Sequence, residues 1–344
     1  MVQAVDSGAL RVTGEPAPIA ARVFATGTSV LGALIGGTAS TTGVIAYVKG
    51  GEARDALTWF DRSGKRLGTL GPPGRYRDPS FSPDGRTLAV ARTADDGGAL
   101  SLWLIDIARP TTPSRFTFGE ENARFPNWSP DGRTLAFAAS AKAGVAPYLK
   151  SVGEAAAHLL PQEGNTYPFD WSRDGRFLLM QIQKALGNFD VSVMTLADRR
   201  LQPFIASELD ERSPQFSPDG RWVAYTANES GPYDVFVRSF PGGEQKRRIS
   251  TQGGVRPLWR RDGRELFFLG LDGKLMAASV KPGATFEWAP PQALFQTPVD
   301  TVALLSSFQY AVVPDGQRFL FVAPAQDTST SVSLVLNWTA GLKK

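Results

Sequence analysis

The chain has 344 residues, of which 37 are Lys or Arg and 33 are Asp or Glu, so its net charge is only +4. Because charges of both signs are interspersed, this weak basicity disfavours nucleic acid as a partner. The absence of cysteine excludes disulfides and thiol catalysis, and the single histidine, His158, argues against zinc or iron, so we expect no metal and no cofactor.

The first 22 residues show no basic region followed by an apolar one, so the sequence predicts no signal peptide. The next stretch, residues 23–48, carries no charge, but 12 of its 26 residues are Gly, Ser or Thr. A membrane-spanning helix needs about 20 predominantly apolar residues. We therefore interpret this stretch as a β-hairpin and expect no membrane span.

A turn sequence then recurs along the chain. Three copies read aromatic-Ser-Pro-Asp-Gly-Arg, at residues 81–86, 128–133 and 216–221. Weaker copies occupy residues 171–176, 259–264 and 313–317, and a degenerate one occupies 40–43. Proline presets φ for a type I turn, Asp bonds to nearby backbone, and Gly takes the left-handed conformation that closes a hairpin. Each copy therefore predicts the bend of a β-hairpin.

The turns repeat every 42 to 53 residues, and each is followed by an apolar strand, a polar loop and further strands. This period in strand-rich units is typical of β-propeller blades. We predict an all-β propeller of four-stranded antiparallel blades, with seven blades favoured and six or eight open. The whole chain, 1–344, is one propeller domain in this interpretation, with the repeat array over 23–338.

Residues 1–22 are predicted to supply the closing strands. The last unit ends near Trp338 without a fourth strand, and residues 16–20 resemble the end of a later unit. Pairing of 16–20 with the strand near Trp338 would remove an open sheet edge.

The repeat resembles the WD-like repeat of TolB-type propellers over nearly the whole chain. Several stretches are also similar to the propeller region C-terminal to bacterial membrane-anchored serine/threonine kinases: residues 57–65, 216–225, 259–263 and 335–344. That resemblance implies an extracytoplasmic, periplasmic sensor or scaffold. No kinase motif is present, so we expect either a free-standing propeller, for which the cytoplasm stays open, or the C-terminal piece of a longer protein.

Catalysis has weak support in the sequence. There is no G-x-S-x-G elbow, and His158 falls in a predicted edge strand, where it is expected to be a surface residue. We therefore predict a non-catalytic module that binds a protein, a peptide or a small polar ligand. The alternative is a lactonase- or lyase-like enzyme acting in the central channel, which would need converging His or acidic ligands.

Two other candidate sites are assigned structural explanations. Asp95 and Asp96 could hold calcium, but their position in a loop explains them. A basic patch could contact nucleic acid, but a solvated edge strand and a loop explain it: Lys246, Arg247, Arg248, Arg256, Arg260, Arg261 and Arg264. Trp128, Trp171 and Trp259 recur at one position of the repeat, which predicts packing between blades.

The candidate binding residues lie in the loops that lead into the first strand of each unit. Loops on a rigid scaffold commonly carry function, and these loops should rim one mouth of the channel. The predicted residues are Tyr76, Arg77, Asn122, Arg124, Asn165, Tyr167, Glu211, Arg212 and Arg256.

Overall fold

The computed structural model describes residues 54–325, apart from 95–97, 120–121, 185–187, 230, 282, 284 and 300–306, together with seven strands outside this range. It divides into two compact units, residues 55–323 and residues 1–54 with 324–344, which are described separately. The part of the chain that is described contains no helix long and apolar enough to cross a membrane.

Before residue 54 the described elements are short strands: β1 (Val2–Asp6), β2 (Arg11–Ala17), β3 (Ala25–Thr26), β4 (Leu34–Ile35), β5 (Gly37–Ala39) and β6 (Val44–Val48). They pair antiparallel as β1 with β2, β3 with β4 and β5 with β6. The β5–β6 pair has the hairpin form predicted for residues 23–48, although its turn, 40–43, lies outside the described residues.

The larger unit is built from strands alone within its described residues. In chain order these are β7 (Asp55–Asp61), β8 (Arg66–Phe81), β9 (Thr87–Thr93), β10 (Leu100–Asp106), β11 (Ser114–Arg115), β12 (Arg124–Trp128), β13 (Thr134–Ala141), β14 (Gly144–Ser151), β15 (His158–Leu159), β16 (Asn165–Trp171), β17 (Phe177–Gln183), β18 (Phe189–Thr195), β19 (Arg200–Ile205), β20 (Glu211–Phe216), β21 (Trp222–Ala227), β22 (Asp234–Ser239), β23 (Lys246–Arg248), β24 (Val255–Trp259), β25 (Glu265–Leu269), β26 (Lys274–Lys281), β27 (Glu287–Trp288), β28 (Gln292–Gln296), β29 (Tyr310–Val312) and β30 (Arg318–Pro324).

These strands form six blades. Three are the sheets β12–β15, β16–β19 and β20–β23, and a fourth is β24–β25–β26 with β28 and β27 both on the outer side of β26. The long strand β8 serves two blades, because residues 66–74 pair with β7 and residues 75–81 pair with β9. It therefore ends the blade β29–β30–β7 and begins the blade that β9, β10 and β11 complete.

The innermost strands neighbour one another in a closed cycle: β8, β12, β16, β20, β24, β29 and again β8. The unit is thus a β-propeller, as predicted, and its described residues form six blades, a number that the sequence left open beside the favoured seven. The ring closes by pairing β30 with β7, so that one blade combines strands from both ends of the unit.

This closure corrects one predicted pairing. The last described strand, β31 (Val332–Leu336), pairs with β6, whereas β7 occupies the place beside β30 that the sequence predicts for β31. The described part of residues 16–20 belongs to β2, which pairs with β1, and residues 18–20 and 337–344 lie outside the described residues. Pairing of 16–20 with the strand near Trp338 therefore stays a prediction. β7 and β31 are both short and apolar, so either sequence fits beside β30. The assembled ring determines which of these distant strands pairs there.

The turn chemistry follows the prediction closely. Gly85, Gly132, Gly175, Gly220, Gly263 and Gly316 have φ between +67° and +74°. In the first of these turns Asp84 accepts hydrogen bonds from the Ser82 hydroxyl, at 2.6 Å, and from the Arg86 amide, at 3.0 Å. These bonds, with that from Ser82 the strongest, lower the pKa of Asp84. The turn aspartates are therefore bound to their own backbone, as expected.

The core lies between the blades. The second strand of each blade is buried on both faces, as in β21, where all six residues are buried. Apolar clusters join neighbouring sheets: Tyr225 of one blade packs with Leu179 of the preceding one, and Phe267 with Phe319 of the following one. This arrangement makes each blade depend on both neighbours and holds the innermost strands at fixed positions around the channel.

Candidate ligand-binding channel

Four innermost strands carry an unusual residue immediately before a proline. Asp78, Phe125, Ser213 and Arg256 all have φ between +52° and +58°, and a β-bulge follows each of them. All four side chains are buried at the centre of the ring. A left-handed conformation costs a non-glycine residue about 1–2 kcal/mol, so the surrounding ring must enforce it. The recurring proline, six residues before the turn glycine in these four units, is the signal that could have identified them.

One end of the channel, which we call the closed end, is filled by Arg256 and its neighbours. The Arg256 guanidinium lies 4.5 Å from the centre of the Phe308 ring and donates to the Ser213 hydroxyl at 2.9 Å. Burial lowers the pKa of Arg256 to about 9, although the nearby Asp78 carboxylate opposes this. The hydroxyl of Tyr310 donates to the Arg256 carbonyl at 2.7 Å. This arginine is therefore a packed structural group.

Asp78 connects the first blade of the ring to the segment that leads into the last blade, at the closed end. Its carboxylate accepts from the Phe308 amide at 2.8 Å and from Nε of Arg124 at 3.2 Å. Two blades beyond Arg124, Arg212 donates to Asp210 at 2.6 Å and covers the ring of Phe189, of the preceding blade, at 4.3 Å. The charges at this end are thus matched to one another across neighbouring blades.

Aromatic rings occupy the middle of the channel. Phe169 stacks on Phe125 with ring centres 5.2 Å apart and meets Phe308 at 5.8 Å. Tyr310 is fully buried beside them. These rings form a floor, so the channel is a dead end when it is entered from the opposite side.

That opposite side, the open end, holds a cavity of about 210 Å³ lined by all six innermost strands and by the turns that follow them. The turn residues at its rim are Pro83, Pro130, Arg173, Pro218, Arg261 and Pro314. Two of the six turns thus place an arginine where the other four place a proline. They belong to two of the three copies that looked weaker in the sequence; the third, 313–317, keeps its proline.

Asp170 lies on the wall of this cavity, between the floor and the rim. Its carboxylate accepts from the Phe216 amide of the next blade at 2.7 Å. Burial raises the pKa of Asp170 to about 7, against the hydrogen bonds that it accepts and the charge of Arg173. Arg173 is exposed at the rim. Burial of part of its guanidinium lowers the pKa of Arg173, and the positive charge of Arg261 lowers it further, whereas the Asp170 carboxyl raises it.

Other polar groups on the wall join the blades together. Trp128 donates its indole N–H to the Ser80 carbonyl at 3.1 Å, and Trp259 donates to the Gln215 carbonyl at 3.3 Å. Both bonds connect neighbouring blades, which confirms the predicted role of these two tryptophans. Trp171 donates within its own turn, and its ring packs against a cluster that contains Ala136 and Leu160 of the preceding blade, which agrees with the predicted packing.

Three of the nine predicted binding residues lie inside or along the blades. The ring of Tyr76 is buried among the apolar residues between two blades, and its hydroxyl donates to a carbonyl of its own strand. Asn165 bonds to the backbone of β14 and to a side chain of β17. Glu211 is buried and accepts from the Ser207 hydroxyl, and burial raises the pKa of its carboxyl group.

The remaining six lie at the closed end and differ in exposure. Arg77 and Asn122 are exposed, whereas the other four are partly or fully buried: Arg124, Tyr167, Arg212 and Arg256. The ring of Tyr167 meets Phe125 edge-on at 5.9 Å. The structure therefore brings part of the predicted set together, in a packed layer at one end of the channel. Their role in binding stays a prediction.

The other candidate sites are dispersed. His158 is exposed on β15, as predicted, and lies 3.8 Å from Glu154. Lys246 pairs with Glu229 and Arg248 with Asp234 along the exposed strand β23. Among the described residues no three His, Asp or Glu side chains are grouped to hold a metal ion. Asp95 and Asp96 lie outside the described residues.

Comparison with known proteins identifies relatives of this ring. The TolB beta propeller domain family matches residues 39–213. The Tol-Pal system protein TolB of Nitrosomonas europaea is 34% identical over 73 residues, which cover 21% of this chain and only 17% of that relative's length.

Two solved structures show the same fold. A structure assigned to TolB from Agrobacterium tumefaciens superposes with a TM-score of 0.64 at 20% identity, covering 80% of this chain and 99% of that one. TolB from Acinetobacter baumannii gives a TM-score of 0.52 at 14% identity, covering 83% of this chain and 66% of that one. Since the family match spans half of the sequence and the turns, blades and channel agree with it, the chain belongs to the TolB beta propeller domain family.

Proposed function

We propose that this protein is a non-catalytic propeller that binds a protein or peptide partner at the open end of its channel, as a sensor or scaffold of the bacterial envelope. The family and the match to a Tol-Pal system protein support an envelope role and an extracytoplasmic location. Association with a kinase remains a further proposal, based on the sequence resemblance.

The observation that carries the proposal is the cavity at the open end. It has aromatic walls, a closed floor and two arginines at its rim. Ligand sites are typically concave and mostly apolar, with a few polar groups that fix orientation. With a volume of about 210 Å³, this cavity is smaller than the roughly 300–1,000 Å³ of a site for a drug-sized molecule. It fits one side chain or one chain end of a larger partner.

A second surface is proposed at the closed end, where Arg77 and Asn122 are exposed beside the packed residues. A partner there would contact the loops without entering the channel, because Arg256 and Phe308 fill it. This surface could serve the same partner or a different one, and it is tested by the same assay with Arg77, Arg124 and Arg212 changed together to Ala.

The test is a selection of random peptides displayed on phage, followed by fluorescence anisotropy on the peptides recovered. Trp171→Ala removes part of the cavity wall, and Trp288→Ala, on the outer strand β27, is the matched control because both indoles are half-buried. We expect peptides that bind the native protein and lose affinity only with Trp171→Ala. Equal affinity for the two variants would move the site away from the open end.

A further inference from the structure

We propose that the open-end cavity takes the free C-terminal end of a partner polypeptide whose last residue is apolar, with the terminal carboxylate held between Arg173 and Arg261 and the last side chain against the aromatic floor. This inference rests on the function proposed above and names the chemistry that the site would recognise.

The first support is the departure from the repeat at Arg173 and Arg261. The other four turns carry proline at this position, which suits a type I turn. An arginine there adds nothing to the turn, and both arginines line the cavity. They belong to the third and fifth blades of the ring, with Pro218 of the fourth blade between them, and their charges are close enough to disfavour each other.

The second support is the state of the guanidinium donors. In the part of the chain that the structure describes, the Arg173 side chain makes no hydrogen bond or ion pair, and Arg261 donates one bond, from Nη1 to the Pro83 carbonyl. A guanidinium has five N–H donors. Two arginines at one rim therefore present unused donors, in the fork geometry that binds a carboxylate bidentately.

The third support is the shape of the cavity. The rings of Phe125 and Phe169, which stack, and of Phe308, which is tilted against Phe169, close it, so a chain cannot pass through. Its two arginines lie at the rim, Asp170 and Asp78 lie deeper on the wall, and the rings of its floor are apolar. A C-terminal residue fits this arrangement. Its carboxylate and the rest of its chain can lie at the rim while its side chain points to the floor. The apolar floor also favours such an end over free phosphate, which has no apolar part.

The test uses fluorescein-labelled Gly-Ser-Gly-Ser-Leu, which has a free carboxylate, and the same peptide ending in a carboxamide. Fluorescence anisotropy is measured with the intact protein at low salt, because ionic strength screens exposed charges. We expect the carboxylate peptide to bind at least about tenfold more tightly, as a charge-assisted bidentate contact should.

The variants Arg173→Pro and Arg261→Pro restore the residue that the other turns carry, so both should fold. We expect each to reduce the affinity for the carboxylate peptide about tenfold and to leave the weaker carboxamide peptide unchanged. Arg133→Ala is the matched control, because Arg133 is an exposed turn arginine outside the cavity lining. Circular dichroism melting verifies that every variant is folded.

Two further probes distinguish sources of negative charge: inorganic phosphate as a competitor, and a carboxamide peptide with an internal Glu. Displacement by millimolar phosphate, or equal binding of the internal Glu peptide, would overturn recognition of a chain end. If both Leu peptides bind alike and Trp171→Ala weakens both, the inference fails while the proposed binding function stands. If neither Leu peptide binds and the phage selection yields no cavity-dependent binder, both proposals fail.

Discussion

At the closed end of the channel hydrogen bonds join Arg256, Asp78 and Arg124 to other groups of the protein. At the open end the Arg173 side chain forms no hydrogen bond or ion pair with the described residues. Both ends are built on the same six innermost strands. The closed end holds its residues in a left-handed conformation, and the open end uses glycine for its positive φ. The strained backbone conformations and the paired charges of this ring therefore lie at the closed end, whereas the unused hydrogen-bond donors lie at the open end.

The strongest way to break this comparison is Arg256→Met. The change removes the bond to Ser213 and the contact with Phe308, and it leaves Asp78 buried with less opposing charge. Loss of one partner of a buried charge pair typically costs about 3–5 kcal/mol, and we expect a loss of this order in the free energy of unfolding. Urea denaturation followed by tryptophan fluorescence measures it.

The matched control for Arg256→Met is Arg261→Pro at the open end, which should change the free energy of unfolding by less than about 0.5 kcal/mol. Comparable losses for the two variants would show that the open end also stabilises the ring, contrary to the division drawn here.

A second prediction tests whether the turn glycines at the open end are required for their conformation. Gly220 has φ +70°, and a Cβ added there would meet no other atom within 4 Å. Gly220→Val should therefore cost about 1–2 kcal/mol through backbone strain alone. Gly119→Val is the control, since that site is equally open and needs no positive φ. Equal melting temperatures for the two variants would contradict the explanation.

A third prediction concerns Asp170, whose pKa rises from 3.8 to about 7 in the folded ring. The unfolded chain loses this proton near pH 4 and the folded chain near pH 7, so this group's contribution to stability falls as the pH rises between those values. The charged group that acts on it is Arg173, on its own hairpin. Asp170→Asn should gain stability relative to the native protein between pH 5 and pH 8.

Urea denaturation at both pH values tests this, and a constant difference between the two proteins would show that Asp170 does not titrate there. The same variant sharpens the binding proposal. The carboxylate peptide should bind the native protein more weakly as the pH rises through 7, because Asp170 becomes negative, and Asp170→Asn should remove that trend.

The smallest effect is expected for Arg77→Ala at the closed end. Arg77 is exposed, unlike Arg256 in the same predicted set. Removal of an exposed side chain usually changes stability by less than about 0.5 kcal/mol, and thermal melting should detect almost no shift. A decrease above 1 kcal/mol in the free energy of unfolding would show that Arg77, like the buried residues of the closed end, stabilises the ring.

The local parts of the fold were predictable because they depend on a few neighbouring residues. The Asp-Gly turns and the apolar strand after each turn follow from side-chain and backbone preferences, and both are confirmed. The partner of β30 was not predictable in this way. Both β7 and β31 are short apolar strands, and the choice between them depends on the whole ring.

For the site, the sequence located the loops but not the directions of their side chains. Tyr76 turns into a blade interface and Arg256 into the channel, because a bulge at the left-handed residue redirects the strand. Arg173 was visible only in a weak copy of the turn, and Arg261 only in another weak copy and in a basic patch with a structural explanation. Their common position at one rim appears once six strands bring the third and fifth blades around a single cavity.

The pairing of β7 with β30 also determines how the ring responds to force. The amide of Ala325 donates to the carbonyl of Arg54 at 2.9 Å, so the first and last strands of the ring begin and end side by side. Tension applied through the chain on both flanks would load these bonds one after another, as in a zipper, rather than all together. This pairing would thus open at a lower force than one in which all the bonds were loaded at once.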